Sequence, residues 1–149
     1  MKGNYLGASR VDAKLIFWPA VAMVALTFSV QMRMYATRIG EMKRERIHPQ
    51  SIASSAQAAA RLKDTRAADN FRNLFEMPVL FYPALIVAFL TAQVGVFTLS
   101  LAWAFVALRI AHSAIQCSYN KVMHRFHAYV SSSVVLWILW GVLVCGLPR

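Results

Sequence analysis

The residue in this sequence that most needs a chemical reason is Glu76. It lies in the run Asn70 to Tyr82, NFRNLFEMPVLFY, just after Arg72 and Asn73 and just before Met77 to Ala92, sixteen residues without a charge. At ~1.5 Å per residue those sixteen reach roughly 24 Å as a helix, short of the ~30 Å hydrocarbon core of a bilayer. A helix that spans from here draws Glu76 and Asn73 into the membrane boundary. An ionised carboxylate there needs a cation or several donors. The cations on offer include Arg109, with His112 one helical turn further on, then Arg125, and Arg38 on an earlier segment. The pair to draw first is Glu76 with Arg109, within one chain or between neighbouring chains. It marks a candidate binding site, or else an ion pair that sets helix register without chemistry. No nucleophile–base–acid triad stands out. His124-x-x-His127 has helical spacing for a metal or, with His112, a haem. A histidine at a membrane interface is equally an ordinary solvated side chain, and no metal site is assigned.

These side chains need elements to hold them. The chain is 58% hydrophobic and 15% charged, with a mean hydropathy of +0.48, which is a membrane composition. Four apolar segments are visible: Ala13 to Met32, Met77 to Ala92, Phe97 to Cys117 and Phe126 to Cys145. Four spans in 149 residues leave no room for a separate soluble domain. The expectation is one all-α domain over residues 1–149, an integral membrane four-helix bundle with spans at about 13–36, 67–93, 97–120 and 124–145. The first apolar run is longer than a signal-peptide core and no small-residue cleavage site follows, so it reads as a retained span.

Pro78 is expected to bend span two just beyond Glu76, and Gly95 to mark a tight outer turn. Arg109, His112, Gln116 and Tyr119 or Asn120 recur at intervals of three and four, one face of a helix. The short turn makes spans two and three antiparallel neighbours whose polar faces meet. Span four ends at Gly146-Leu147-Pro148. Trp18, Trp137 and Trp140 read as interfacial anchors or packing. Cys117 and Cys145 fall at opposite membrane faces, which excludes a disulfide between them within one chain.

The net charge of +10 is uneven. From Arg33 to Arg72 there are nine Lys or Arg against four acids, and Lys121, Arg125 and two histidines lie between spans three and four. Gln93 to Thr98 carries no charge. The first and third loops are therefore cytoplasmic and both termini lie outside, although Lys2, Arg10 and Lys14 make the N-terminus mildly basic. The basic residues flank spans without interleaved aromatics. Their partner is lipid headgroups, not nucleic acid.

Asn73-x-x-Glu76-x-Pro78, opening the second of four spans after a basic loop, resembles the MAPEG family, membrane-associated proteins in eicosanoid and glutathione metabolism. Arg109-Ile110-Ala111-His112 resembles the R-I-x-H run of its microsomal glutathione transferase branch. Tyr35-x-x-Arg38 and Ile47-His48-Pro49-Gln50 resemble bacterial members. The resemblance spans about Phe28 to Trp140. It implies a homotrimer in the bacterial inner membrane, with glutathione as co-substrate in sites between subunits that open to the cytoplasm. It further implies that Arg125 stabilises the glutathione thiolate, while Arg38, Arg72, Asn73, Glu76, Arg109, His112 and Tyr119 form the glutathione site, Glu76 meeting the amino group.

The implied chemistry is coherent. Only a thiolate attacks, a thiol of pKa ~8.5 is mostly protonated at neutral pH, and a guanidinium in a poorly hydrated cleft favours the charged form. A lipophilic electrophile or lipid peroxide can reach the cleft sideways from the membrane. One departure is Asp69, at a position where family members commonly carry arginine; an acid there would oppose the carboxylates of glutathione. The alternative is a non-catalytic protein of the same fold that binds lipid or serves as a subunit of a larger membrane complex.

Overall fold

The computed structural model describes residues 11–147. Lys2, Arg10 and Pro148 lie outside them. Six helices follow one another: α1 (Phe17–Arg44), α2 (Ser55–Arg61), α3 (Arg66–Asn73), α4 (Met77–Leu90), α5 (Val96–Cys117) and α6 (Val122–Cys145). Short 3₁₀ turns precede α1 (Ala13–Ile16) and α2 (Pro49–Ile52). No strand occurs among the described residues. Four segments are long and apolar enough to cross a membrane: Ala13–Arg44, Arg66–Leu90, Val96–Cys117 and Val122–Cys145.

The helices face inward with small or well-fitting groups and outward with large ones. Met23, Phe81, Ala84, Leu85, Ala88, Ala102, Phe105, Leu136, Leu139 and Leu143 form the core. Phe81 and Phe105 stack at 4.5 Å between ring centroids. Ala84 and Ala88, one turn apart on α4, let neighbouring backbones approach, which helices need where apolar burial gives no advantage over lipid. Trp18, Val24, Phe28, Leu90, Trp137 and Val144 are exposed. Large apolar side chains on the outside suit a lipid solvent.

Span two is two helices. The chain breaks at Leu74–Phe75, and Glu76, with ψ −100, stands as the N-cap of α4 with Pro78 in its first turn. The break therefore comes before Glu76 and not just beyond it, because proline suits a helix start. Pro83 sits inside α4. There Trp140 Nε1 donates to the Leu80 carbonyl at 3.1 Å, so Trp140 is a packing residue with its own partner and not only an interfacial anchor.

The turn between α4 and α5 is built differently from the sequence expectation. Gly95 has ordinary extended backbone (φ −133), and the left-handed residue is Ala92 (φ 55). The amides of Gln93 and Ala92 return to the carbonyls of Ala88 and Phe89 at 2.9 and 3.2 Å, the double bond pattern that usually puts glycine at this position. A side chain at Gly146 would displace the Gln93 carboxamide, which donates to the Leu143 carbonyl near the end of α6.

On the opposite side of the bundle, α1 runs to Arg44, two turns beyond the expected end, and Glu41 is 5% exposed. Its carboxylate accepts from the Lys63 and Asp64 amides at 2.6 and 3.2 Å, tying the α2–α3 connection to α1. The Arg66 side chain hydrogen-bonds Asp64 at 2.9 Å and holds that carboxyl below its usual range. Lys63, and then Arg44, does the same for Glu45.

Ala92→Gly removes left-handed strain and is expected to raise stability by about 0.5 kcal/mol, read as a higher melting temperature in detergent; an unchanged or lower melting temperature contradicts the turn described. Asp64→Asn is expected to cost about 0.5 kcal/mol at neutral pH. A carboxyl depressed by folding stabilises above its unfolded pKa and loses that contribution as pH falls through the folded one. The gap between variant and wild type should therefore close on acidification, and a gap that persists at low pH argues against the pair.

Candidate functional site

Arg109 is 0% exposed, the largest fully buried side chain among the described residues. Its Nη2 donates to the Asn73 carbonyl at 3.0 Å, at the C-terminal end of α3. The helix stops there and the Glu76 amide reaches this carbonyl only at a long 3.4 Å, so the guanidinium meets a weakly engaged acceptor at the negative end of a helix dipole. Its carbon lies 5.4 Å from the ring centroid of Tyr129 on α6. Nε and Nη1 are buried with no hydrogen-bond partner among the described residues.

The expected Glu76–Arg109 ion pair is not present within the chain: the ion pairs among the described residues are Arg44–Glu45, Lys63–Glu45, Arg66–Asp64 and Arg72–Asp69. The break at Leu74–Phe75 turns Asn73's backbone, not Glu76's side chain, toward Arg109. Glu76 is exposed, with Arg109 and Tyr129 both within electrostatic reach.

Glu76 lines a cleft of about 490 Å³ together with Asn73, His112, Val122, Arg125, Phe126 and Tyr129. One chain of contacts crosses its floor. Asn73 Nδ2 lies 3.1 Å from Gln116 Oε1, Gln116 Oε1 lies 2.9 Å from His112 Nε2, and His112 Nδ1 lies 3.1 Å from the Arg125 carbonyl. Asn73 on α3, two turns of α5 and the start of α6 are thereby fixed to one another. Both ring nitrogens of His112 lie within hydrogen-bond distance of an oxygen acceptor, and a neutral imidazole donates to one of the two. Among the described residues no group of three or more His, Cys, Asp or Glu side chains could hold a metal ion.

The remaining sequence candidates lie elsewhere. Arg38 and Arg72 line a separate pocket of about 460 Å³ between α1, α2 and α3, with Thr37, Asp64, Thr65 and Asp69. Asp69 accepts from the Thr65 hydroxyl at 2.9 Å and lies 3.9 Å from Arg72, and it does not line the Arg125 cleft. Tyr119 lies beyond the end of α5, 61% exposed, its hydroxyl 3.2 Å from His124 Nδ1. The α5 face thus stops at Gln116 and does not continue to Tyr119, because the helix ends at Cys117. The tyrosine that does line the cleft is Tyr129. It stands four residues after Arg125, and that i,i+4 spacing is the signal that would have found it.

Two further arginines close helix ends. Arg33 Nη2 donates to the Cys117 carbonyl at 2.6 Å, and Arg66 Nη1 donates to the Ser118 carbonyl. Asn70, fully buried, is close to Cys117 and Ser113 and pins α3 against α5. Cys117 is buried and Cys145 exposed, and both are free.

The sequence pattern of the MAPEG family matches residues 16–145. The chain belongs to the MAPEG family. No curated protein and no solved structure matches it. MAPEG membership together with the four apolar helices makes this an integral membrane protein. In this MAPEG chain the cleft groups a carboxylate, a carboxamide, an imidazole, a guanidinium and a phenol beside apolar Val122 and Phe126. That set can take a small ligand carrying both charges, with an apolar wall for a lipophilic one.

Arg109→Ala leaves a void and is expected to cost about 3 kcal/mol, whereas Arg109→Met refills most of the volume and costs nearer ~1 kcal/mol. Equal melting temperatures for the two variants in detergent would contradict the buried, close-packed position of this side chain.

Proposed function

We propose that this protein is a membrane-bound glutathione transferase, with peroxidase-type use of the same thiolate on lipid peroxides. The observation that carries the proposal is the cleft in which Arg125 and Glu76 stand at one ligand-sized space, bridged by Asn73 and His112. Family membership is consistent with it, since MAPEG proteins include glutathione transferases as well as non-catalytic members. Glu76 takes the glutathione amino group, Asn73 a peptide amide, and Arg125 the sulfur. The thiol proton leaves to solvent. The thiolate then attacks the electrophilic carbon, a C–S bond forms, and the leaving group departs with the bonding electron pair. Positive charge at sulfur stabilises the attacking anion, and the exclusion of water strengthens that effect. The basic inner loops raise the local concentration of anionic glutathione.

The assembly proposed is a homotrimer. Arg38 and Arg72 line a different pocket from Arg125. A site that uses all three therefore joins the inner end of α1 in one chain to the start of α6 in another. The proposed membrane is the bacterial inner membrane, with the α2-bearing loop and the α5–α6 turn cytoplasmic.

A second reading, a non-catalytic lipid-binding member, draws on a groove of about 790 Å³ between α1 and α4, lined by Val24, Thr27, Phe28, Gln31, Leu74, Phe75, Val79 and Tyr82.

Adding glutathione to detergent-purified protein is expected to produce thiolate absorbance that Arg125→Ala abolishes. No absorbance rise with either protein favours the lipid-binding reading. Co-expressed Arg38→Ala and Arg125→Ala chains, each inactive alone, should recover activity in about a quarter of the sites if those sites are shared between subunits; complete inactivity of the mixture contradicts a shared site.

A further inference from the structure

A guanidinium on a long side chain near a membrane boundary tends to turn outward to headgroups and water. Arg125 is half-buried and lines the cleft, so something must hold it there. Its Nη1 donates to Asn120 Oδ1 at 2.9 Å. Asn120 lies in the turn between α5 and α6, with left-handed backbone (φ 50) and its amide returned to the Ile115 carbonyl at 2.9 Å. Asparagine is one of the few side chains that tolerate this conformation. Its five-residue distance from Arg125 is not a helical neighbour spacing, so the turn, not the helix, brings the two together. The main chain of Arg125 is fixed independently by His112 at its carbonyl.

We propose that Asn120 is a positioning residue that holds the Arg125 guanidinium over the cleft through a neutral acceptor. The chemical type matters. A carboxylate at this place would hold the guanidinium equally well but cancel its charge. A carboxamide oxygen orients it and leaves the full positive charge, with the remaining donors free, for an anion in the cleft. A second anchor on the backbone makes the side-chain contact decisive for direction and not for fold. This inference rests on the reading of Arg125 as the thiolate partner and deepens it.

The test titrates glutathione thiolate absorbance against pH in the full-length, detergent-purified protein. Asn120→Gly suits the left-handed turn and removes only the acceptor. The expected result is about a tenfold loss of thiolate at neutral pH, equal to a rise of about one unit in the titration midpoint, with glutathione affinity at acidic pH, where the thiol is protonated, essentially unchanged. A wild-type midpoint for Asn120→Gly, alongside loss of thiolate in Arg125→Ala, overturns the positioning role and leaves the Arg125 reading standing. A wild-type midpoint for Arg125→Ala overturns the reading on which the inference rests. Should Asn120→Gly melt early, Asn120→Asp is titrated in its place. It keeps the turn and the contact but neutralises the charge, so its midpoint must rise, and a midpoint at or below that of the wild type overturns the proposal.

Discussion

Backbone carbonyls at helix ends are the constraint around which this bundle is arranged. A transmembrane helix satisfies its own interior, but each end leaves acceptors without partners. Here guanidinium groups supply the donors. Arg109 reaches the Asn73 carbonyl at the end of α3, while Arg33 and Arg66 reach the Cys117 and Ser118 carbonyls at the end of α5. Arginine suits this work because it stays charged, carries several donors and favours the negative end of a helix dipole. The three contacts also cross between helices, so they help decide where α1, α3 and α5 meet.

The cleft follows from that arrangement. Stopping α3 at Asn73 leaves its carbonyl within reach of Arg109, turns Glu76 outward and lets α4 start afresh with Pro78 in its first turn. One break in one span thus both anchors the bundle and exposes the carboxylate. The Asn73–Gln116–His112–Arg125 chain then ties the floor of the cleft to that anchor. Buried networks of this kind are rigid when every member has a partner. Two Arg109 donors, Nε and Nη1, stay without a partner among the described residues.

Separation of charge between two pockets is the second organising feature. Asp69, at first sight an obstacle to an anionic ligand, is occupied by Thr65 and sits near Arg72, away from Arg125. Glu41 and Asp64 likewise serve the α2–α3 connection. The acids of the basic loop are structural partners of amides and guanidiniums. The cleft keeps Glu76 as its single carboxylate among the described residues.

Composition and periodicity by themselves determined the four apolar spans, their all-helical character and the polar α5 face of Arg109, His112 and Gln116. Helix formation in lipid is a local requirement, and a 3.6-residue repeat is written in one dimension. The Asn73-x-x-Glu76-x-Pro78 order likewise disclosed the family and a break in the second span. Only the tertiary structure decided that within the chain Arg109 serves a carbonyl and not Glu76, that Ala92 and not Gly95 carries the left-handed turn, that Tyr129 lines the Arg125 cleft, and that Arg38 and Arg72 line a different pocket of the same chain. Each of these depends on how closely two helices approach and on where a helix stops. Both are set by packing between segments far apart in the chain, which no spacing along the sequence records.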